Sequence, residues 1–465
     1  MPQSLALGAD LVIHSATRCL DGWAKNGLLA AFDTILSEVC AALQQFQSEL
    51  QGIGMLTVVR DLWGRVRLVA PTRPDPGAPL AQTLEGLARN LQDRLGRHAY
   101  PPEQTFLYAD ELAEFTDLEA ERGVDLEVVG LEARLIDRQL TGTSWAEVPA
   151  GLPQHPARLT FYSIKGGVGR STAVAVAAWR LAQEGRNVLV LDLDLEAPGL
   201  SSALLPQGIL PRFGIVDWFV EDLVGQADEI LDDMAVLSPV ATDLPGEVWM
   251  VPSYGAAEGE YIAKLGRCYL DLPPSIGRGG EEVRRIWPQR LLRLLEALEA
   301  RYRPDVVLLD SRSGLHDVAS AVVTDVEAQV LLFAVGSDQT WRGYRLLFEH
   351  WQRHDAASAI RERLRVVASL VPETGRAEYL SAFREASWDL FREHLYDEVV
   401  EGALDGFSYD LMDDAGPHAP LLTYWSRGFA SLSNLVSLDP QLVETAYGPF
   451  LDGLQELLLP PLEGA

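Results

Sequence analysis

The run Lys165-Gly166-Gly167-Val168-Gly169-Arg170-Ser171-Thr172 constrains this chain more than any other feature. An apolar, strand-like stretch, Leu159 to Ile164, leads into it. An alanine-rich stretch, Ala173 to Glu184, follows with the composition of a helix. Strand, glycine-rich loop and helix, in that order, form the setting of a phosphate-binding loop. Glycines have no Cβ to hold a phosphate chain away from the backbone. The loop amides and the helix N-terminus then turn partial positive charge toward the anion. Ser171 stands where a hydroxyl can ligate Mg²⁺, and all eight residues are expected to line the nucleotide.

Two details separate this loop from the ordinary P-loop. A basic residue, Lys165, opens it, and Arg170 occupies the place of the usual lysine before the hydroxyl residue. The pattern resembles the deviant Walker A loop of the MinD/ParA ATPases, Lys-Gly-Gly-x-Gly-Lys-Ser/Thr. It is similar to a bacterial subgroup with Lys-Gly-Gly-Val-Gly-Arg. The resemblance implies a SIMIBI-type P-loop NTPase with ATP and Mg²⁺ as ligands. It also implies a homodimer formed on ATP binding, with Lys165 of each subunit reaching the other's nucleotide.

Further stretches extend the resemblance. Asn187 to Leu191 reads as a strand running into Asp192-Leu193-Asp194. By position, Asp194 matches the carboxylate that orients the attacking water and senses Mg²⁺, with Asp192 a supporting acid. Pro304 to Asp310 is a buried-strand pattern closed by an acid. It resembles Walker B, where the aspartate holds Mg²⁺. Ser311 to Leu315 resembles switch II, where Gly314 gives the backbone freedom to respond to a γ-phosphate. Aspartate at a strand end also suits a plain turn, and Glu196 is read as a loop charge. The expected catalytic residues are Lys165, Asp194 and Arg170, and the expected metal ligands are Ser171, Asp310 and Asp194.

Arg170 needs its own argument. Lysine occurs only at Lys25, Lys165 and Lys264, although lysine and arginine together number 38. Against that drift to arginine, a retained Lys165 points to a need for its shape. A guanidinium is wider than an ammonium and prefers a two-pronged grip. Arg170 is therefore expected to permit nucleotide binding and to slow hydrolysis.

A formal net charge of −29 argues against nucleic acid as a partner, because phosphate backbones require clustered Lys and Arg. The stretch Asp439 to Ala465 contains neither. Phe450 to Leu459 is amphipathic, but Asp452 and Glu456 make it acidic, and anionic lipid would repel it. It reads as a core-packing helix rather than a membrane anchor. No apolar run approaches the ~20 residues of a membrane span, and Met1 to Asp10 lacks the basic segment of a signal peptide. Scattered Cys19, Cys40 and Cys268 suit a reduced, cytoplasmic setting and offer no metal spacing. His350 and His354 share a helix face, but Trp351 stands where a metalloprotease helix has glutamate. His316 reads as an exposed loop residue.

Proline-rich residues 148–157 read as a linker. They separate an N-terminal α/β domain, 1–147, from a P-loop domain, 158–465. In the first, Gly27 to Leu50 and Leu80 to Leu95 have helical periodicity. Leu56 to Asp61 and Arg65 to Val69 form a hairpin pattern around Trp63-Gly64, with further strands at Phe106 to Tyr108 and Arg134 to Gln139. In the second, strands at Val248 to Pro252, Gln329 to Val335 and Leu364 to Val371 alternate with helices. These fall at Gly214 to Val224, Pro288 to Arg301, Thr340 to His354 and Glu378 to His394. Such alternation predicts a doubly wound, mostly parallel sheet, with ligand at the carboxyl ends of its strands. The expected function is an ATP-driven dimerisation switch in regulation, signalling or defence, acting on an unknown protein partner. A scaffold with little hydrolysis that recruits through the N-terminal domain is the alternative. A metallocluster carrier comes last, since no paired-cysteine motif is present.

Overall fold

The computed structural model describes residues 31–112, 123–138, 143–146, 156–256, 260–276, 282–398, 406–430, 435 and 438–458. The chain divides into two compact units, Met1–Leu140 and Thr141–Ala465. The expected linker lies outside the described residues except for Pro156 and Ala157, as do Gly27 to Ala30 of the first expected helix and Cys19.

In the first unit, strands β1 (Leu56–Arg60), β2 (Val66–Ala70), β3 (Phe106–Tyr108), β4 (Val124–Asp125) and β5 (Ala133–Asp137) form one sheet in the order β3-β2-β1-β5-β4. β1 and β2 pair antiparallel through a turn in which Gly64 takes φ +75°, a conformation costly to residues with a Cβ. Helices α1 (Ile35–Gln45) and α2 (Pro79–Leu95) cover one face. Their Val39, Leu43, Leu87 and Leu91 pack with Leu56, Val58, Leu68 and Leu135 of the strands.

The second unit is built on eight strands: β6 (Ala157–Ser163), β7 (Val188–Leu193), β8 (Val236–Leu237), β9 (Val248–Val251), β12 (Val306–Ser311), β13 (Gln329–Ala334), β14 (Leu364–Val371) and β15 (Leu421–Tyr424). A separate antiparallel pair, β10 (Leu272–Ile276) and β11 (Glu282–Arg285), stands apart from them. The order of the large sheet is β15-β14-β13-β6-β12-β7-β9-β8. Every pairing in it is parallel except β8 with β9.

Successive residues on each strand feed opposite faces, as a pleat requires. On β12, Val306 and Leu308 join one core, while Val307 and Leu309 join the other. The first face carries α3 (Arg170–Gln183), and later in the chain α10 (Pro440–Leu458) packs beside it. The second face carries α4 (Ile215–Asp222), α6 (Trp287–Tyr302) and α7 (Asp317–Thr324), with α5 (Tyr261–Cys268) beside α4. It also carries α8 (Asp338–Arg353) and α9 (Arg376–His394). Helices on both faces make the sheet doubly wound, the α/β class that strand–helix alternation implies.

Three features differ from the sequence reading. Trp145, placed by sequence before the linker, packs its ring 5.9 Å from Tyr162 inside the second unit. Helix α3 begins at Arg170 rather than Ala173, because Gly169 at φ +78° lets the chain turn directly into it. Two edge strands, β8 and β15, were not legible, since runs of two and four residues carry too little periodicity.

Candidate nucleotide-binding site

β6 lies at the centre of the large sheet, and the loop 164–169 leaves its carboxyl end. Gly167 takes φ +74°, and a Cβ there would meet nothing within 4 Å, so the loop faces open space. Gly166 approaches Ser313, whose Oγ would lie 3.5 Å from an added Cβ. Val168 is buried, and its carbonyl accepts a hydrogen bond from the Ser369 hydroxyl of β14. This anchors the loop from below. Lys165 is exposed, while Ser171 and Thr172 are half-buried in the first turn of α3. Ala173, Ala175, Ala177, Ala178 and Ala182 let the buried α3 lie close to the sheet.

Two strand ends, those of β7 and β12, bring acids beside this loop. Asp310 and Asp192 are register partners on β12 and β7, and both are buried. Asp192 lies inside its strand rather than after it. Its Oδ1 accepts the Asp194 amide at 3.2 Å, and its Oδ2 accepts the amides of Gly199 and Leu200 at 3.2 and 3.0 Å. Asp192 therefore shapes the 194–199 loop instead of reaching a ligand. Burial, with Asp310 alongside, pushes its carboxyl up to about 7. Asp194 is also raised, by burial first, against the pull of Arg170. Its Oδ1 is buried with no hydrogen-bond partner.

Arg170, in the position of the usual P-loop lysine, makes its side-chain contacts beneath the loop. Its guanidinium turns inward, with 8% of the side chain exposed. Nε donates to Asp310 Oδ1 at 2.6 Å, Nη1 to Ser163 Oγ at 3.0 Å and Nη2 to Asp194 Oδ2 at 3.4 Å. Burial opposes its charge, but Asp310 and Asp194 outweigh burial and its acidity falls below that of ordinary arginine. The wide, three-way fork that makes arginine a poor fit among phosphates makes it a good bridge between carboxylates.

Two of the expected metal ligands, Asp310 and Asp194, thus share Arg170, with Ser171 next to it in the chain. Asp310 is held by the guanidinium, which also bonds Asp194. Among the described residues, no cluster of three His, Cys, Asp or Glu side chains is placed to hold a metal ion. Asp310 pairs with Arg170 through Oδ1, and the Ser171 hydroxyl lies in the first turn of α3 beside them. His350 and His354, with ring centroids 4.4 Å apart, belong to no such cluster.

Sequence reasoning passed over a second network. Glu196 receives the Tyr269 hydroxyl at 2.5 Å and pairs with Arg312. His316 Nε2 lies 3.8 Å away, while its Nδ1 accepts the Val318 amide and caps α7. Gly314, at φ +88°, donates its amide to the Ser163 carbonyl at 2.9 Å. The loops after β7 and β12 are thus tied to each other and to the base of the P-loop. Only the glycine in the 311–315 stretch signalled this in advance.

No protein-family model matches the chain. An iron–sulfur cluster carrier protein from Pseudomonas fragi is 28% identical over 176 residues, 37% of this chain and 58% of that protein. The chain therefore spans little more than half the length of that curated relative. The similar solved structures include ParA and MinD ATPases. MinD from Pyrococcus furiosus is 16% identical, covers 65% of this chain and 99% of its own, and has a TM-score of 0.39. McdA from Cyanothece, solved with ATP, is 17% identical, covers 67% of this chain and 100% of its own, and has a TM-score of 0.41. The fold class rests on the strand order itself, a parallel sheet with a glycine-rich loop at the end of its central strand.

Proposed function

We propose that the second unit binds ATP in the loop 165–172 and acts as a nucleotide-driven dimerisation switch of the deviant Walker A type, with slow turnover. One observation carries the reading: a glycine loop open to solvent joins the central strand to the N-terminus of a buried helix, beside the partnerless Asp194 oxygen. The amides of the loop and of the first turn of α3 would hold the phosphates. Lys165, exposed at the mouth, would extend to the phosphates of a second subunit. Asp194 Oδ1 would accept a proton from the water that attacks the γ-phosphorus. Such catalysis is positioning and charge neutralisation, and Arg170, its nitrogens committed to the acids and Ser163, would make no direct hydrogen bond to the phosphates. Slow hydrolysis follows.

That commitment also supports the second reading, a nucleotide-bound scaffold recruiting a protein partner through the first unit. A cluster-carrier role, that of the Pseudomonas fragi relative, finds no paired cysteines among the three in this chain. The net charge of −29 disfavours the DNA binding described for a ParA structure.

The test is calorimetric titration of ATP into the full chain and its Gly167→Val variant. A Cβ at Gly167 meets no neighbouring atom, but φ +74° disfavours any Cβ there, so valine would both crowd the open side of the loop and strain its backbone. Wild type should bind, and the variant should lose affinity by about a hundredfold or more, about 2.7 kcal/mol or more. Equal affinity would place the nucleotide elsewhere.

A further inference from the structure

We propose that Arg170 is a built-in replacement for the divalent cation, so that this loop takes a metal-free nucleoside triphosphate. The inference rests on the nucleotide-binding reading above and concerns the form in which the nucleotide arrives. Three nitrogens of one buried guanidinium are committed to Asp310, Ser163 and Asp194, at 2.6, 3.0 and 3.4 Å. The residue sits in the first turn of α3, so its backbone belongs to the phosphate cradle while its charge lies beneath it.

For Asp310 to ligate a metal ion, the cation would have to sit on its second oxygen beside the buried guanidinium, where two positive charges repel, or displace the guanidinium from Oδ1. Displacement would strand a member of a buried ion pair, which is strongly unfavourable. Lysine at this position could not hold the same arrangement, since an ammonium is a compact point charge without a planar fork. The bridge also removes a reason for needing a metal. Carboxylates under the cradle would repel an incoming triphosphate, and a fixed positive charge between them offsets that repulsion without any ion. The phosphates themselves would be met by backbone amides and by Lys165, none of which requires a metal.

The experiment measures ATP affinity of the full chain by calorimetry in Mg²⁺ and, separately, in EDTA. The wild type is expected to show dissociation constants within about threefold of each other, and Arg170→Lys is expected to weaken by about tenfold or more in EDTA. A wild type that loses about tenfold or more in EDTA overturns the proposal while leaving nucleotide binding intact. Equal affinities in both media for Arg170→Lys also overturn it, because metal independence would then not depend on the guanidinium. Failure of the wild type to bind in either medium overturns the nucleotide reading and the proposal with it.

Discussion

At the scale of single residues, three aspartates with similar sequence settings are put to different uses. Asp310 and Asp194 share one guanidinium, whereas Asp192 caps backbone amides in a buried position. The cap has a pH signature. Its folded-state carboxyl is pushed up to about 7 from an ordinary 3.8, so the folded state binds the proton more tightly than the unfolded chain does. The resulting stabilisation is present below about pH 4 and is lost as pH rises toward about 7. Unfolding free energy of the wild type should therefore fall relative to Asp192→Asn across that window, by at most about 1.4 kcal/mol per pH unit. Urea denaturation of both proteins at about pH 5.5 and about pH 7.5 checks this. Parallel pH profiles would show that Asp192 does not hold the proton. None of these roles was legible from the residue type, because a strand-end aspartate looks the same whether it faces a ligand, a cation or an amide.

At the scale of elements, α10 shows how charge pattern and burial combine. Asp452 and Glu456 lie on its exposed side, while Phe450 is fully buried with ring centroids 6.4 and 6.0 Å from Phe161 and Phe333. The helix is thus a wall of the core behind β6, in line with the acidic, amphipathic pattern read from sequence. Phe450→Ala should cost about 3–5 kcal/mol through lost burial and a cavity, measured by chemical denaturation. A stability change below about 1 kcal/mol would mean that the helix is only loosely docked. Long helices and the parallel strands other than the edge strand β15 were legible because each carries several turns or a continuous apolar run. Element ends were less so: β7 extends to Leu193 and takes in Asp192, because backbone pairing with β12 continues past the apolar run.

At the scale of the whole molecule, the two compact units invite different tests. For the second, nucleotide-driven dimerisation is the central prediction. Light scattering of the full chain with a non-hydrolysable ATP analogue should show a dimer for wild type. Lys165→Ala should bind the analogue and remain a monomer, since the lysine is exposed rather than folded into its own loop. Asp194→Ala should dimerise with ATP itself and dissociate slowly. A wild type that stays monomeric with nucleotide would leave the scaffold reading in its place.

The sequence by itself determined the α/β class and the position of the glycine loop. Both are written in local terms: strand-like run, glycines without a Cβ, and a helix that follows within a few residues. It also determined which acids close the strands next to that loop. Only the tertiary structure decided where Arg170 points, because the choice between phosphates and carboxylates depends on Asp310 and Asp194, 140 and 24 residues away in the chain. The tie between Glu196 and Arg312 was hidden for the same reason. Charges meeting across strand ends are a product of register and strand order, and no local pattern of residues encodes either.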